Sequence, residues 1–160
     1  MDQPTINRIK QFHPKFMEQL QKDYLEINSM LPKGVRLRFT HVLRTIQEQD
    51  ELFAQGRTKS GSIVTNARGG QSIHNYGLAF DIVILLDENG DGTFEKAVWN
   101  GKYFNQVVKF FKEKGYEWGG DWKFKDNPHF QIKGFKWQNL KSLLDSGQLI
   151  KENGILYPKI

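Results

Sequence analysis

Three side chains that can bind a metal ion lie in two separate parts of the sequence. His74 and Asp81 stand seven positions apart, and His129 follows nearer the C-terminus. The chain has no cysteine, so a metal site must be built from histidine and carboxylate ligands. Two imidazoles and one carboxylate leave one position open on a tetrahedral zinc ion, as in catalytic zinc sites. The three residues are therefore candidate ligands of a catalytic zinc ion.

Asp81 is unusual because it interrupts an apolar segment, residues 79–86, that is typical of a buried strand. A buried carboxylate is costly unless a cation or an arginine compensates for the lost hydration. Gly77 permits a tight turn that would bring the imidazole of His74 to this carboxylate. The sequence leaves two partners open for Asp81, namely a metal ion shared with His74 or an ion pair with Arg44.

A second carboxylate, Asp126, stands three positions before His129. Pro128 favours an extended backbone at Asn127, which would hold Asp126 beside His129 without making it a ligand. A carboxylate in that position can take a proton from a zinc-activated water and return it to a leaving amine. Asp126 is thus a candidate general base, and the alternative is a turn-forming residue before Asn127.

Apolar periodicity predicts the elements that must position these residues. Helices are expected over residues 5–30 with a break at His13–Pro14, from Thr45 to about Gly56, over 103–114 and over 137–145. Strands are expected over residues 35–40, 79–86, 93–99 and 129–132. Thr45 and Glu48 form a capping-box pattern. The predicted fold class is α+β, a small antiparallel sheet flanked by helices in one domain spanning residues 1–160.

Two segments have no predicted helix or strand. Residues 57–73 contain several glycines and few large apolar groups, and surface loops of this length are commonly functional. The tail over 150–160 is short, with Pro158 near its end. Asp87, Asn89 and Asp91 imitate the start of a calcium loop, but Val98 stands where such a loop needs glutamate. A hairpin turn is therefore favoured over a calcium site.

Charge and composition narrow the classes of partner. The net charge is +5, which favours an anionic partner or reflects a modest excess of lysine. No dense basic block predicts a nucleic-acid partner, and no apolar run is long enough to insert into a membrane. The N-terminus lacks a secretory signal pattern, so synthesis in the cytoplasm is expected. We expect a monomer.

Two motifs resemble those of the M15 family of zinc peptidases. The first comprises Ser72, His74, Gly77, Ala79 and Asp81, and the second comprises Asp126, Pro128, His129 and Phe130. The neighbouring segments 69–72 and 118–122 are most similar to the L-alanyl-D-glutamate endopeptidase branch, which includes phage endolysins. The resemblance covers about residues 35–135. It implies the fold shared by Hedgehog domains and D-Ala-D-Ala peptidases. N-terminal helices over 5–30 would precede this zinc-peptidase core, and a C-terminal helix and tail over 136–160 would follow it.

The resemblance also implies roles for individual residues. His74, Asp81 and His129 would bind one zinc ion per chain, and Asp126 would be the general base. The expected reaction is hydrolysis of the L-Ala–D-Glu bond in the stem peptide of bacterial peptidoglycan, with the enzyme reaching the wall after phage or prophage lysis. A D,D- or L,D-carboxypeptidase and a catalytically silent wall-binding protein are the alternatives. Arg44 would serve catalysis and substrate binding, with Gln49 and Ser72 as further substrate-binding residues.

Other polar and aromatic residues are open to ordinary structural interpretations. His13 and His41 have no partner motif and are expected to be structural. Ser72 can either bind a ligand or shape its turn. For the aromatic residues near the motifs, packing in the core or at its rim is favoured over binding of glycans. These residues are Tyr76, Trp118, Trp122 and Phe124.

Overall fold

The computed structural model describes residues 1–160 and contains five α-helices. They are α1 (Gln3–Ile9), α2 (Pro14–Met30), α3 (Ile46–Ala54), α4 (Gly101–Glu113) and α5 (Trp137–Asp145). The predicted break at His13–Pro14 is present, because Pro14 begins α2 and the Nδ1 atom of His13 accepts from the backbone N–H of Lys15. Thr45 caps α3 by accepting a hydrogen bond from the backbone N–H of Glu48.

Seven β-strands form two antiparallel sheets. They are β1 (Val35–His41), β2 (Ala79–Leu86), β3 (Lys96–Val98), β4 (Glu117–Trp118), β5 (His129–Gln131), β6 (Leu149–Glu152) and β7 (Ile155–Pro158). The main sheet has the order β1-β2-β5-β4, and β3 also pairs with β2. A small antiparallel sheet flanked by helices confirms the predicted α+β class.

The core lies between the main sheet and helices α1, α2 and α4. Phe80 on β2 stacks between Phe39 on β1 and Phe130 on β5, with ring centroids 4.6 and 5.4 Å away. Phe111 on α4 packs against the same ring with its centroid at 5.1 Å. Residues alternate across a strand, so seating Phe80 in this core places its neighbour Asp81 on the opposite face.

The second sheet corrects the prediction for the C-terminal tail. Strands β6 and β7 form a hairpin whose turn contains Asn153 at φ 51° and Gly154 at φ 79°. Tyr157 on β7 is buried and donates to the backbone carbonyl of Gln11. The Nε2 atom of His13 lies 2.7 Å from the carbonyl oxygen of Pro158. The hairpin therefore fastens the tail to the loop between α1 and α2, and His13 is structural as expected.

Two further differences concern the edges of the main sheet. The return strand β3 begins at Lys96 rather than near Thr93, because both the backbone N–H and the hydroxyl of Thr93 donate to Asp91. Asp87 closes the same turn by accepting from the backbone N–H groups of Gly90 and Gly92. These bonds match the favoured hairpin turn. Strand β4 was not predicted, since two residues are too short to show alternation.

The helices give no sign of a bilayer-crossing segment, since none combines the length and the apolar character that crossing requires.

Candidate active site

The three predicted metal ligands come together near the N-terminal end of β2. Asp81 and His129 are directly paired residues of the antiparallel strands β2 and β5. The Oδ1 atom of Asp81 lies 3.2 Å from Nδ1 of His129 and 3.3 Å from Nε2 of His74. His74 reaches this point from a short 3-10 helix, Ile73–Tyr76, just before β2. The sequence prediction of a His-Asp-His cluster is thus matched by the geometry.

The turn that carries His74 is fixed by local hydrogen bonds. The Ser72 hydroxyl accepts from the backbone N–H of His74, and the Asn75 side chain accepts from the backbone N–H of Ser72. Gly77 ends the 3-10 helix at φ 67°, where a Cβ atom would meet Tyr157 at 2.9 Å. Only glycine suits this left-handed position, so the predicted tight turn depends on Gly77.

Each histidine uses its second ring nitrogen to fix its orientation. Nδ1 of His74 lies 2.9 Å from the Val42 carbonyl oxygen and donates to it, so Nε2 is the nitrogen that faces Asp81. Nε2 of His129 lies 2.8 Å from Oε1 of Gln131, which leaves Nδ1 facing Asp81. Metal-binding histidines are commonly held in this way, with one nitrogen bonded to the protein and the other free to ligate.

The cluster has the chemistry and spacing of a metal site. All three ligand atoms lie within 4.8 Å of one another. Ligands about 2.0–2.1 Å from a tetrahedral zinc ion stand roughly 3.3 Å apart, which matches the two distances to Asp81. His74 and His129 are almost fully buried and Asp81 is 17% exposed, so a bound ion would be reached from one side only. The site can therefore hold a divalent metal.

The structure rejects the alternative that Asp81 pairs with Arg44. The basic groups within 4 Å of the Asp81 carboxylate are imidazoles, namely His41, His74 and His129. Burial opposes ionisation of Asp81, but hydrogen bonds from His129 and His74 outweigh it and lower the pKa of this carboxyl. Asp81 is therefore kept as a carboxylate, which is the form that ligates a metal.

Asp126 lies beside the cluster without joining it. Its Oδ2 atom is 3.9 Å from Nδ1 of His129, and its side chain is half exposed to the cleft. Partial burial raises the pKa of Asp126, and the charge of Asp81 adds to the rise. Gly119 makes this arrangement possible, since a Cβ atom there would lie 2.5 Å from the Asp126 carbonyl oxygen and 3.2 Å from Cβ of His129.

Arg44 and Gln49 form one hydrogen-bonded unit. Arg44 lines the cleft, and its Nη1 donates to Oε1 of Gln49 at 3.1 Å. Gln49 is fully buried, and its amide nitrogen donates to the Ala67 carbonyl. The side chain of Gln49 thus has no surface to offer a substrate, so the prediction that it binds substrate directly is wrong. Ser72 lines the cleft, and its role in substrate binding stays a prediction.

Comparison with known proteins agrees with this geometry. Residues 65–132 match a family model of the M15 peptidases described as D-alanyl-D-alanine carboxypeptidase. The chain is 46% identical over 110 residues to peptidoglycan L-alanyl-D-glutamate endopeptidase CwlK of Bacillus subtilis (strain 168). That alignment covers 62% of this chain and 62% of the relative.

Residues 65–132 of this chain are thus similar to the M15 peptidases. The fold agrees, because the crystal structure of Serratia marcescens L-Ala D-Glu endopeptidase ChiX aligns with a TM-score of 0.55. That alignment has 21% identity and covers 81% of this chain and 86% of the other chain. The segment matched by the family model contains His74, Asp81, Asp126 and His129.

The site also contains residues that sequence reasoning missed. Gln131, which accepts from His129, donates through Nε2 to Oε2 of Glu117 at 3.3 Å. The indole N–H of Trp122 donates to the same oxygen at 3.0 Å, and the Trp122 ring packs against His129. These residues form a second layer behind one metal ligand. The spacing of His129 and Gln131 on one strand face was a usable signal, whereas the pairing of β4 with β5 was not predictable.

His41 corrects the expectation that it is merely structural. Its Nδ1 lies 3.8 Å from Oδ2 of Asp81, and it lines the same cleft as the metal residues. An irregularity in the pairing of β1 with β2 lies between Phe39 and His41, so that His41 stands opposite Asp81. Such a bulge re-aims a side chain and leaves no clear mark in a sequence.

Proposed function

We propose that this protein is a zinc-dependent peptidoglycan endopeptidase that hydrolyses the L-Ala–D-Glu bond of the stem peptide. The observation that carries the proposal is the meeting of a metal triad, Asp126 and Arg44 in one cleft of about 480 Å³. The 46% identity to an L-alanyl-D-glutamate endopeptidase supports the choice of bond. The net charge of +5 would favour retention on an anionic wall.

His74, Asp81 and His129 would hold the zinc ion. When bound there, zinc would polarise the scissile carbonyl and lower the pKa of a water molecule. Asp126 faces the same space, and its raised pKa suits a group that must both accept and release a proton. Its carboxylate takes a proton from the attacking water and returns it to the amine of the departing D-Glu residue.

Arg44 supplies a fixed positive charge to the same cleft. Its guanidinium is held by Gln49, which is itself held by the backbone of Ala67. A guanidinium stays charged and can bind two oxygens at once, so Arg44 can anchor a carboxylate of the stem peptide. Gln49 then acts as a positioning residue, and Ser72 remains a candidate to donate its hydroxyl proton to the substrate.

A D,D- or L,D-carboxypeptidase is the second candidate, since the matching family model carries the description D-alanyl-D-alanine carboxypeptidase. The shape of the cleft favours the endopeptidase. An exopeptidase must close its site around a chain end, whereas the walls here continue past Asp126 and Trp122 into a second pocket. A chain therefore has room to continue past the metal cluster in the direction of the second pocket.

Digestion of purified sacculi separates the candidates. Incubation with the zinc-loaded protein, followed by mass analysis of the products, should reveal released peptides that begin with a new D-Glu amino terminus, while L-Ala stays attached to the muramyl sugar. Free D-Ala without new D-Glu amino termini would reject the endopeptidase assignment in favour of a carboxypeptidase. Binding to sacculi with no cleavage at all would support the catalytically silent wall-binding protein.

A further inference from the structure

The active-site cleft continues into a second pocket beyond the metal residues. The pocket at the metal residues has a volume of about 480 Å³, and the neighbouring one has about 710 Å³. Both fall in the size range of ligand sites. The two pockets share six wall residues, which are Val64, Thr65, Ala67, Gln71, Trp122 and Asp126. The second pocket is therefore an extension of the active site.

Aromatic side chains dominate the apolar lining of this extension. Trp122 and Phe124 come from the loop between β4 and β5, and Trp137 comes from the first turn of α5. Phe124 is 85% exposed, and Val64 on the neighbouring loop is 57% exposed. Large apolar groups left in water beside a cleft commonly mark a surface that contacts a ligand.

Polar groups stand among these rings at the same pocket. Thr65, Asn66 and Gln71 line it, and Lys125 adds one exposed charge. The Oε1 atom of Gln71 accepts from the backbone N–H of Arg68, which leaves its amide NH₂ to donate into the cleft. Aromatic faces beside amide and hydroxyl groups suit a sugar, because a sugar ring has apolar C–H faces and a rim of hydroxyl groups.

The loop that forms one wall is held in place. Arg57 donates to the carbonyls of Phe53 and Thr65 and to the Asn66 side chain. Its guanidinium also stacks on the Phe53 ring at 3.8 Å. Five donors in a planar fork can join several segments in this way. The loop wall is therefore tied to α3, and the pocket is formed before a ligand arrives.

We propose that this extension binds the N-acetylmuramyl sugar to which the stem peptide is attached. The inference rests on the proposed function, in which the scissile bond follows L-Ala. In that substrate only L-Ala separates the sugar from the scissile bond. The extension likewise adjoins the pocket that contains the metal cluster. The fixed charge of Arg44 lines only the first pocket and suits the carboxylate-bearing D-Glu half. The uncharged sugar ring is left for the aromatic pocket.

Two substrates that differ only in the sugar test the proposal. One is an N-acetylmuramyl stem peptide, and the other is the same peptide with a simple acetyl group in place of the muramyl group. Phe124→Ala should lower kcat/KM about 5- to 10-fold for the first substrate and leave the second unchanged. Trp99→Ala is the matched control, because Trp99 is 51% exposed and lines neither pocket. Equal losses on both substrates, or no loss on either, would overturn the sugar subsite.

A binding measurement separates failure of the subsite from failure of the proposed function. The protein is titrated at millimolar concentrations with the methyl glycoside of N-acetylmuramic acid amide, whose lactyl carboxyl is amidated as it is in the substrate. Binding is followed through the indole N–H signals of the four tryptophans. The signals of Trp122 and Trp137 should shift while that of Trp99 stays fixed. If neither peptide is cleaved but these signals shift, the reaction is wrong and the sugar site stands. If they do not shift, the sugar site is wrong whatever bond the protein cleaves.

Discussion

Asp81 and His129 face each other across two antiparallel strands, with Oδ1 of the one 3.2 Å from Nδ1 of the other. Because this contact is a strand register, it is set by the whole sheet. The carboxylate also lies on the face opposite Phe80, whose ring is fixed between Phe39 and Phe130. Core packing thus orients the metal cluster.

Asp81→Ala removes the predicted carboxylate ligand, which contacts both His74 and His129. We expect bound zinc to fall from one ion per chain to almost none after dialysis, because two imidazoles alone bind the ion weakly. The measurement is elemental analysis of the dialysed protein. Asp145→Ala, which changes an exposed carboxylate paired with Lys141, should keep its zinc. Full zinc content in Asp81→Ala would show that these residues are not the ligands.

Asp126→Asn removes the proposed general base and keeps its size. Turnover of stem peptides should fall about 100- to 10,000-fold, while zinc content stays at one ion per chain. Asp121→Asn is the control, because Asp121 lies nearby but pairs with Lys112 on α4. Loss of zinc together with activity would instead make Asp126 a ligand, and unchanged turnover would remove it from the mechanism.

Gln49→Leu tests whether this buried glutamine acts through Arg44. The change keeps the side chain nearly the same size but replaces its amide with methyl groups, which removes the acceptor that holds the guanidinium. We expect kcat/KM to fall about tenfold by loss of positioning. In an Arg44→Ala background the same change should have little further effect, which a double-mutant cycle measures. Additive losses would mean that Gln49 acts independently, for instance by anchoring the loop at Ala67.

Gln131→Leu removes the hydrogen bond behind His129. Second-layer partners of metal ligands typically contribute 10- to 100-fold in affinity, so the zinc Kd should rise by about that factor. Competition with a chelator measures this change, and circular dichroism checks that the fold is intact. Gln138→Leu on the outer face of α5 is the control for the same substitution elsewhere. An unaltered Kd would mean that packing by Trp122 alone orients the ring.

Asp2 ties the N-terminus to the sheet. Its buried carboxylate caps α1 at Thr5 and accepts two hydrogen bonds from the Arg38 guanidinium, at 2.8 and 3.0 Å. Asp2→Ala removes the cap and leaves Arg38 without its partner. The free energy of unfolding should fall by about 2–4 kcal/mol, measured by urea denaturation. A change within about 0.5 kcal/mol would show that the N-terminal contact contributes little.

The same carboxylate should contribute to acid sensitivity. Burial opposes its ionisation, but hydrogen bonds from Arg38 and Thr5 prevail and lower the pKa of Asp2 below the ordinary value of 3.8. A lowered folded-state pKa means that this stabilisation is complete above the unfolded-state pKa and is lost as the pH falls through the folded-state pKa. The stability difference between the wild type and Asp2→Asn should therefore shrink below about pH 4. A difference that does not vary with pH would contradict this.

The sequence by itself determined the local elements and the chemistry-bearing residues. The apolar segment interrupted by one carboxylate predicted β2, and apolar residues at helical spacing predicted both ends of α5. Gly77 and the motif residues His74, Asp81, Asp126 and His129 were found because each lies in a short segment with its own pattern. Such patterns act over a few residues and can be recognised without a fold.

Only the tertiary structure decided which of these residues meet and which neighbours hold them. Gln49 acts behind Arg44, Gln131 reaches Glu117 across β4 and β5, and His41 faces Asp81 through an irregular strand pairing. The C-terminal hairpin and the aromatic extension of the cleft likewise join segments far apart in the chain. These contacts depend on sheet register and side-chain packing between distant elements, and neither leaves a periodic trace in the sequence.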